Sequence, residues 1–252
     1  MSIDETVYAA PESALARPDS AHARSLESAI AGDWDFDIGE VMSEAWRLVA
    51  GSKGVIWVGL LIAFAINVVL SMVGGLAAVA LPESPEIAMG VSVVFQLGGQ
   101  AVVWVLTGGL YLYAIKRAAD QESASVNDVL SALPLFLPLA GVMFLSTLLT
   151  FVGFVLLIIP GIYLAIGYML ALPLKVERGL GIWEALETSR KSIQNHWFKV
   201  FGLGLVTAIA VGLGSLITLG IGMIWAWPFF ILVYGVLYHR IFGYSGAGSA
   251  QG

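Results

Sequence analysis

The sequence predicts an all-α membrane protein, with six transmembrane helices arranged as three hairpins, each preceded by a short cytoplasmic amphipathic helix. Three observations carry that reading. Apolar residues make up 58% of the 252 positions and charged residues only 12%, with a mean hydropathy of +0.87; soluble domains run at roughly 45 to 50% and 25%. Long stretches without a charge recur along the chain, each sufficient for one or two crossings of a hydrocarbon core about 30 Å thick. All twelve Lys and Arg residues fall on one side of a six-span arrangement.

In chain order, residues 1–34 read as a disordered acidic cytoplasmic tail. The first 40 positions hold nine Asp and Glu against two Arg, and this stretch has too few apolar residues to offset the entropy of ordering. It has no basic start leading into a short apolar run, so a secretory signal is not expected. The membrane domain then occupies residues 35–243. Ile38, Val41, Met42, Ala45 and Val49 recur at helical spacing behind Asp37, a capping residue with Glu40 three positions on. This predicts a short helix on the membrane surface. Val55 to Leu81 and Ile87 to Ile115 follow without a charge, giving spans at about 55–81 and 87–115 joined through Pro82 to Pro85.

The second unit opens with a brief helix capped by Ser125 and Asp128. The uncharged run from Leu133 to Leu174 is too long for one helix. Gly153 and the Pro160-Gly161 pair are the expected breakers, putting spans at about 134–152 and 158–175 with the turn between 152 and 160. In the third unit Ile182, Ala185, Leu186, Ser189, Ile193 and Trp197 share a face opposite Glu184, Glu187, Lys191 and Gln194. Glu187 precedes Lys191 by four residues, the favourable order for a helical ion pair. Spans at about 200–218 and 221–238 close the bundle, and residues 244–252 read as a flexible tail.

With six spans, every basic residue from Lys53 to Arg240 lies on the side of both termini, so the positive-inside rule makes that side cytoplasmic and the location a bacterial inner (plasma) membrane. Trp46, Trp57, Trp183, Trp197, Trp225 and Trp227 stand near span ends or on surface helices, as interfacial anchors do.

The sequence excludes more chemistry than it suggests. It has no cysteine, and its histidines, His22, His196 and His239, lack ligand spacing. No metal, cofactor or nucleic acid is expected, and the chain is read as no enzyme. Gly243 to Gly246, GYSG, has the form of an intramembrane protease nucleophile but lies outside any span, with no histidine within a span to serve as its base. The spans as drawn contain no ionisable group, which argues against proton coupling. Polar candidates inside them are Asn67, Gln96, Gln100, Ser146, Thr147, Thr150, Thr207, Ser215 and Thr218. Gln96 and Gln100, with Asn67, either line a polar pathway or hydrogen-bond between helices, the second being the favoured reading. Arg190, Lys191 and Lys199 are the candidate cytoplasmic surface for a protein partner or for anionic lipid headgroups.

Pro160, Gly161, Tyr163, Pro173, Glu177, Gly179, Ala185, Leu186, Ser189 and Trp197 together form a pattern. It resembles that of the YciC-like bacterial six-span membrane family and of the membrane region attached to some glycerophosphodiester phosphodiesterases. The opening FDIGEVMSEAWRLVAGSKG and the ending LYHRIFG extend the likeness over about residues 34 to 244. The resemblance implies a six-span architecture and no catalytic residue. The His and acidic constellation that a phosphodiesterase needs is missing, so that activity is not carried over. The function expected is that of a non-catalytic scaffold or lipid-organising component of the cell envelope, surrounded by the lipid bilayer. A channel or transporter for a small neutral or lipidic solute is the alternative, and the oligomeric state is left open.

Overall fold

The computed structural model of the chain describes residues 25–81 and 84–246, apart from the side chain of Ala78. Its helices are α1 (Leu26–Ala31), α2 (Ile38–Ala80), α3 (Pro85–Ala118), α4 (Val126–Leu130), α5 (Phe136–Leu156), α6 (Ile158–Gly167), α7 (Ala171–Arg178), α8 (Ile182–Gln194), α9 (Trp197–Ile217) and α10 (Met223–Phe242). Among the described residues there is no strand. Six helical stretches are long and apolar enough to cross a membrane: Ile38–Ala77, Pro85–Ala118, Val126–Leu156, Ile158–Arg178, Trp197–Ile217 and Met223–Phe242. The chain is a multi-pass all-α membrane protein.

The first correction concerns the acidic tail. Residues 1–24 lie outside the described residues, but from Ser25 onward the stretch is folded. Ser25 caps α1 through its side chain, and the Trp34 indole N–H donates to the Ala29 carbonyl at 3.1 Å. Trp34 and Phe36 are buried, with the Trp34 ring against His196. The Asn195 side chain donates to the Ala31 carbonyl at 3.1 Å. The ordering comes from aromatic burial against a segment more than 160 positions away, which local composition does not reveal.

The second correction is that the expected surface helix and first span are one helix. Asp37 caps α2 as expected, accepting from the Glu40 N–H at 3.0 Å. The helix then continues unbroken for 43 residues through Gly51 and Gly54. At 1.5 Å per residue it is about 64 Å long, twice the hydrocarbon thickness. Pro82 and Glu83 of the expected turn lie outside the described residues. Lys116 and the Ser125 N–H both bond the Asp128 carboxylate, at 2.5 and 2.7 Å, which seats α4 against the end of α3.

Helices α5 and α6 turn at the single extended residue Leu157, inside the range expected. Pro160 and Gly161 are not the break; they lie in the first turn of α6, where proline lacks no needed donor. Gly161 sits so close to α5 that an added Cβ would fall 2.4 Å from the Phe154 ring.

The fourth span is interrupted at Tyr168 to Leu170, between α6 and α7. Ser189 of α8 repairs the gap: its hydroxyl donates to the Gly167 carbonyl at 2.6 Å and accepts from the Leu170 N–H at 3.1 Å. A broken helix within a membrane needs such a partner for its freed backbone groups. The apolar face of α8, with Ala185, Leu186, Ser189 and Ile193, is therefore buried against α5, α6 and α7 instead of resting on a lipid surface.

The three pairs of spans are also unequal. Helices α2 and α3 pack along one another, as do α5 and α6, but α10 packs more extensively on α2 and α3 than on α9. Of its most apolar stretch 61% is buried, against 17% in α2, α3 and α9, so α10 is the central helix. Gly235 permits this approach, because a Cβ there would meet the Ala114 backbone at 2.6 Å. The core lies where Ile56, Leu110, Tyr113, Leu174, Leu186, Leu232, Val236 and Phe242 converge. The far ends of the pairs expose apolar side chains such as Ile159 (80%) and Leu219 (92%), the surface that hydrocarbon solvates.

Candidate functional site

The most heavily bonded carboxylate among the described residues is one that the sequence marks only as part of the pattern around Pro160 to Trp197, with no role attached. Glu177, in α7, is fully buried. Its Oε1 accepts from the Ser245 N–H and hydroxyl, both at 2.6 Å, and from the Gly246 N–H at 3.2 Å. Its Oε2 accepts from the Tyr238 hydroxyl at 2.7 Å and from Arg178 Nε at 3.1 Å. Arg178 in turn donates to the Phe242 carbonyl at 2.5 Å. The carboxylate thus uses all of its roughly four lone-pair sites to tie α7 to α10 and to the segment beyond it. This corrects the flexible tail: residues 244–246 are pinned, while 247–252 lie outside the described residues. It also answers the GYSG string, because the Ser245 hydroxyl is spent on a carboxylate that four other donors already share.

The other charges on the described residues are largely paired. Arg240 reaches Glu44 at 2.7 Å and Glu40 at 3.8 Å, tying α10 to the start of α2. Arg190 forms a two-point bond to Glu187, at 2.9 and 2.7 Å, and Lys191 joins it at 3.4 Å. The expected Glu187 to Lys191 pair therefore exists, with Arg190 the closer partner. Arg190 first, then Lys191, holds the Glu187 carboxyl below its ordinary range, and the same bond keeps Arg190 firmly protonated. Lys199 is bonded to Asp35 and holds that carboxyl low as well. Each of the three basic residues expected to form a cytoplasmic surface thus has an acidic partner within the chain, Arg190 and Lys191 sharing Glu187. Among the described residues no three His, Cys, Asp or Glu side chains gather as a metal site, and His22 lies outside them.

The amide candidates are not brought together. Asn67 is half-buried on α2 and faces α3 at Gly99, where its Nδ2 would lie 2.8 Å from an added Cβ. Gln96 and Gln100 are exposed on α3, and none of the three amides makes a hydrogen bond among the described residues. Three of the hydroxyl candidates fare better. Ser146, Thr147 and Thr150 of α5 line a cavity of about 450 Å³ with Thr107 and Tyr111 of α3 and Tyr234 of α10. At 3.6 residues per turn, Gln96, Gln100, Thr107 and Tyr111 occupy one stripe about 60° wide on α3. The two glutamines therefore continue the polar wall of that cavity along the helix.

A second cavity, of about 610 Å³, is bounded by Met42 and Trp46 of α2, Val211 and Gly214 of α9, and Trp225 and Phe229 of α10. Its walls are almost wholly apolar. Both volumes lie within the roughly 300 to 1,000 Å³ of small-molecule sites. Beside the apolar cavity, Lys53 Nζ lies 5.1 Å from the centre of the Trp225 ring, a cation–π contact, and the Trp57 indole donates to the Ile224 carbonyl at 3.0 Å. The charge map expects Lys53 and the start of the sixth span on opposite sides of the membrane; here they touch. The clean separation of basic residues does not hold at this position, because α10 runs alongside the first half of α2, with Arg240 at Glu44 and its first turns at Lys53 and Trp57.

Sequence reasoning missed Glu177 as a bonding centre and Lys53 as a neighbour of the sixth span. The signals for the former were its place in the pattern around Pro160 to Trp197 and its position beside Arg178 at a span end; for Lys53 there was none, because the contact depends on how α10 packs along α2. No protein-family model matches the chain, and no solved structure matches it.

Proposed function

We infer that the chain is a non-catalytic component of the bacterial plasma membrane that organises lipid, built as three hairpins with both termini and the charged ends in the cytoplasm and akin to the YciC-like group. The apolar cavity between α2, α9 and α10 carries the reading: its volume and largely apolar lining suit an acyl chain, and its two hydroxyls, Ser43 and Thr218, donate to the backbone carbonyls of Glu40 and Gly214. The pairing of Glu177, Arg190, Lys199 and Arg240 within the chain supports a structural use of charge. The test is native mass spectrometry of the protein released from nanodiscs. Retained phospholipid is expected, and its complete loss under conditions that preserve the fold refutes the reading.

The hydroxyl-lined cavity favours a second reading, passage of a small neutral or lipidic solute between α3 and α5. Solute flux in proteoliposomes that is abolished by Gln96→Leu with Gln100→Leu would establish it in place of the first.

A further inference from the structure

Among the described residues, every basic side chain but two has a carboxylate, carbonyl or hydroxyl partner. The two are Arg47, which is exposed, and Lys53, which is half-buried and rests on Trp225. Lys53 is also the last charge before the uncharged length of α2. An ionisable group beside an apolar span is costly unless something pairs with it, and such groups mark sites more often than they mark structure.

The same Trp225 lines the apolar cavity. At 3.6 residues per turn, Met42, Trp46 and Lys53 fall within about 40° of one another on α2, so the cavity wall and the cation share a helix face. One end of the site is a bare ammonium and the other an apolar cavity of about 610 Å³. That combination is complementary to an amphiphile with one anionic headgroup. Resting on the lipid-organising reading above, we propose that Lys53 and this cavity form a binding site for an anionic phospholipid, its phosphate on Nζ and an acyl chain between Trp46, Val211 and Phe229. Trp225 orients the ammonium and covers the junction between headgroup and chain.

The full-length protein is tested in nanodiscs of phosphatidylcholine with phosphatidylglycerol, with retained lipid counted by native mass spectrometry. Wild type retains phosphatidylglycerol preferentially. Lys53→Gln lowers that retention about fivefold, the effect of one basic residue on an anionic lipid, without changing phosphatidylcholine; Lys53→Arg keeps the preference, and Arg47→Gln behaves as wild type. Gly214→Leu fills the cavity from a position where an added Cβ meets nothing within 4 Å, and retention of both lipids falls. A phosphatidylglycerol preference undiminished in Lys53→Gln, or unaltered retention in Gly214→Leu, overturns the proposal. Should Lys53→Gln fail to fold, Lys53→Arg and Gly214→Leu decide it in the same way. Retention without headgroup preference refutes this site alone, whereas no retention of either lipid refutes the lipid-organising reading as well.

Discussion

Replacing Glu177 with Gln tests whether one buried carboxylate holds the end of α10 in place. The substitution preserves shape but turns one acceptor oxygen into a donor. If the new amide nitrogen takes the Oε1 position, the Ser245 N–H, the Ser245 hydroxyl and the Gly246 N–H lose their acceptor; at the Oε2 position, Tyr238 and Arg178 do. Either way at least two hydrogen bonds to a charged acceptor are lost, each worth about 1.5 to 3 kcal/mol. Arg178, with a side chain 11% exposed, also loses its counter-charge. Breaking a buried pair from one side costs about 3 to 5 kcal/mol, and we expect that total. Tyr238→Phe removes a single donor and leaves the carboxylate bonded, so about 1 kcal/mol is expected; Ser245→Ala costs less, because the backbone N–H still donates. Thermal unfolding in mild detergent, followed by tryptophan fluorescence, should fall by roughly 6 to 20 °C for Glu177→Gln. The C-terminal segment should also become accessible to carboxypeptidase. A Glu177→Gln protein as stable as Ser245→Ala would refute the argument that this carboxylate is the joint.

Two further outcomes follow from charge and packing. The Glu187 carboxyl is held below its ordinary value of 4.5 in the folded chain, so its bond to Arg190 stabilises fully above that pH and is lost as pH falls through the lower folded value; Glu187→Gln should flatten the loss of melting temperature that wild type shows as pH falls below 4.5. An added Cβ at Gly109 would sit 2.1 Å from the Val129 carbonyl oxygen, whereas at Gly212 it meets nothing within 4 Å. Gly109→Ala should therefore cost about 1 to 3 kcal/mol by forcing α4 off α3, while Gly212→Ala should be neutral or stabilising by up to about 1 kcal/mol, as compared by thermal unfolding of the two proteins.

Features that depend on near neighbours along the chain are legible in the amino-acid sequence itself. The six apolar stretches, the Asp37 and Asp128 caps, the Glu187 to Lys191 pair and the turn near Leu157 each need only helical periodicity or a residue three or four positions away. Hydroxyls in apolar runs flag Ser146, Thr147 and Thr150, which do meet in one cavity. The joins between units are misread where a distant partner decides them. The expected surface helix at Ile38 to Val49 and the span from Val55 are one continuous helix, and α8 has the pattern of a surface helix although Ser189 fills a gap in a span.

What the sequence determined alone was the solvent this chain folds in: 58% apolar residues and uncharged runs such as the 42 positions from Leu133 to Leu174 admit only a bilayer, since helix length and hydrophobicity are local properties. Only the tertiary structure decided that α10 is the central helix, that Glu177 holds Ser245 from 68 positions away, and that Lys53 meets Trp225. Inside a membrane every helix is apolar on all sides, so hydrophobic periodicity does not choose its neighbours. Close glycine contacts and a few buried hydrogen bonds make that choice, and they join residues that sequence order keeps apart.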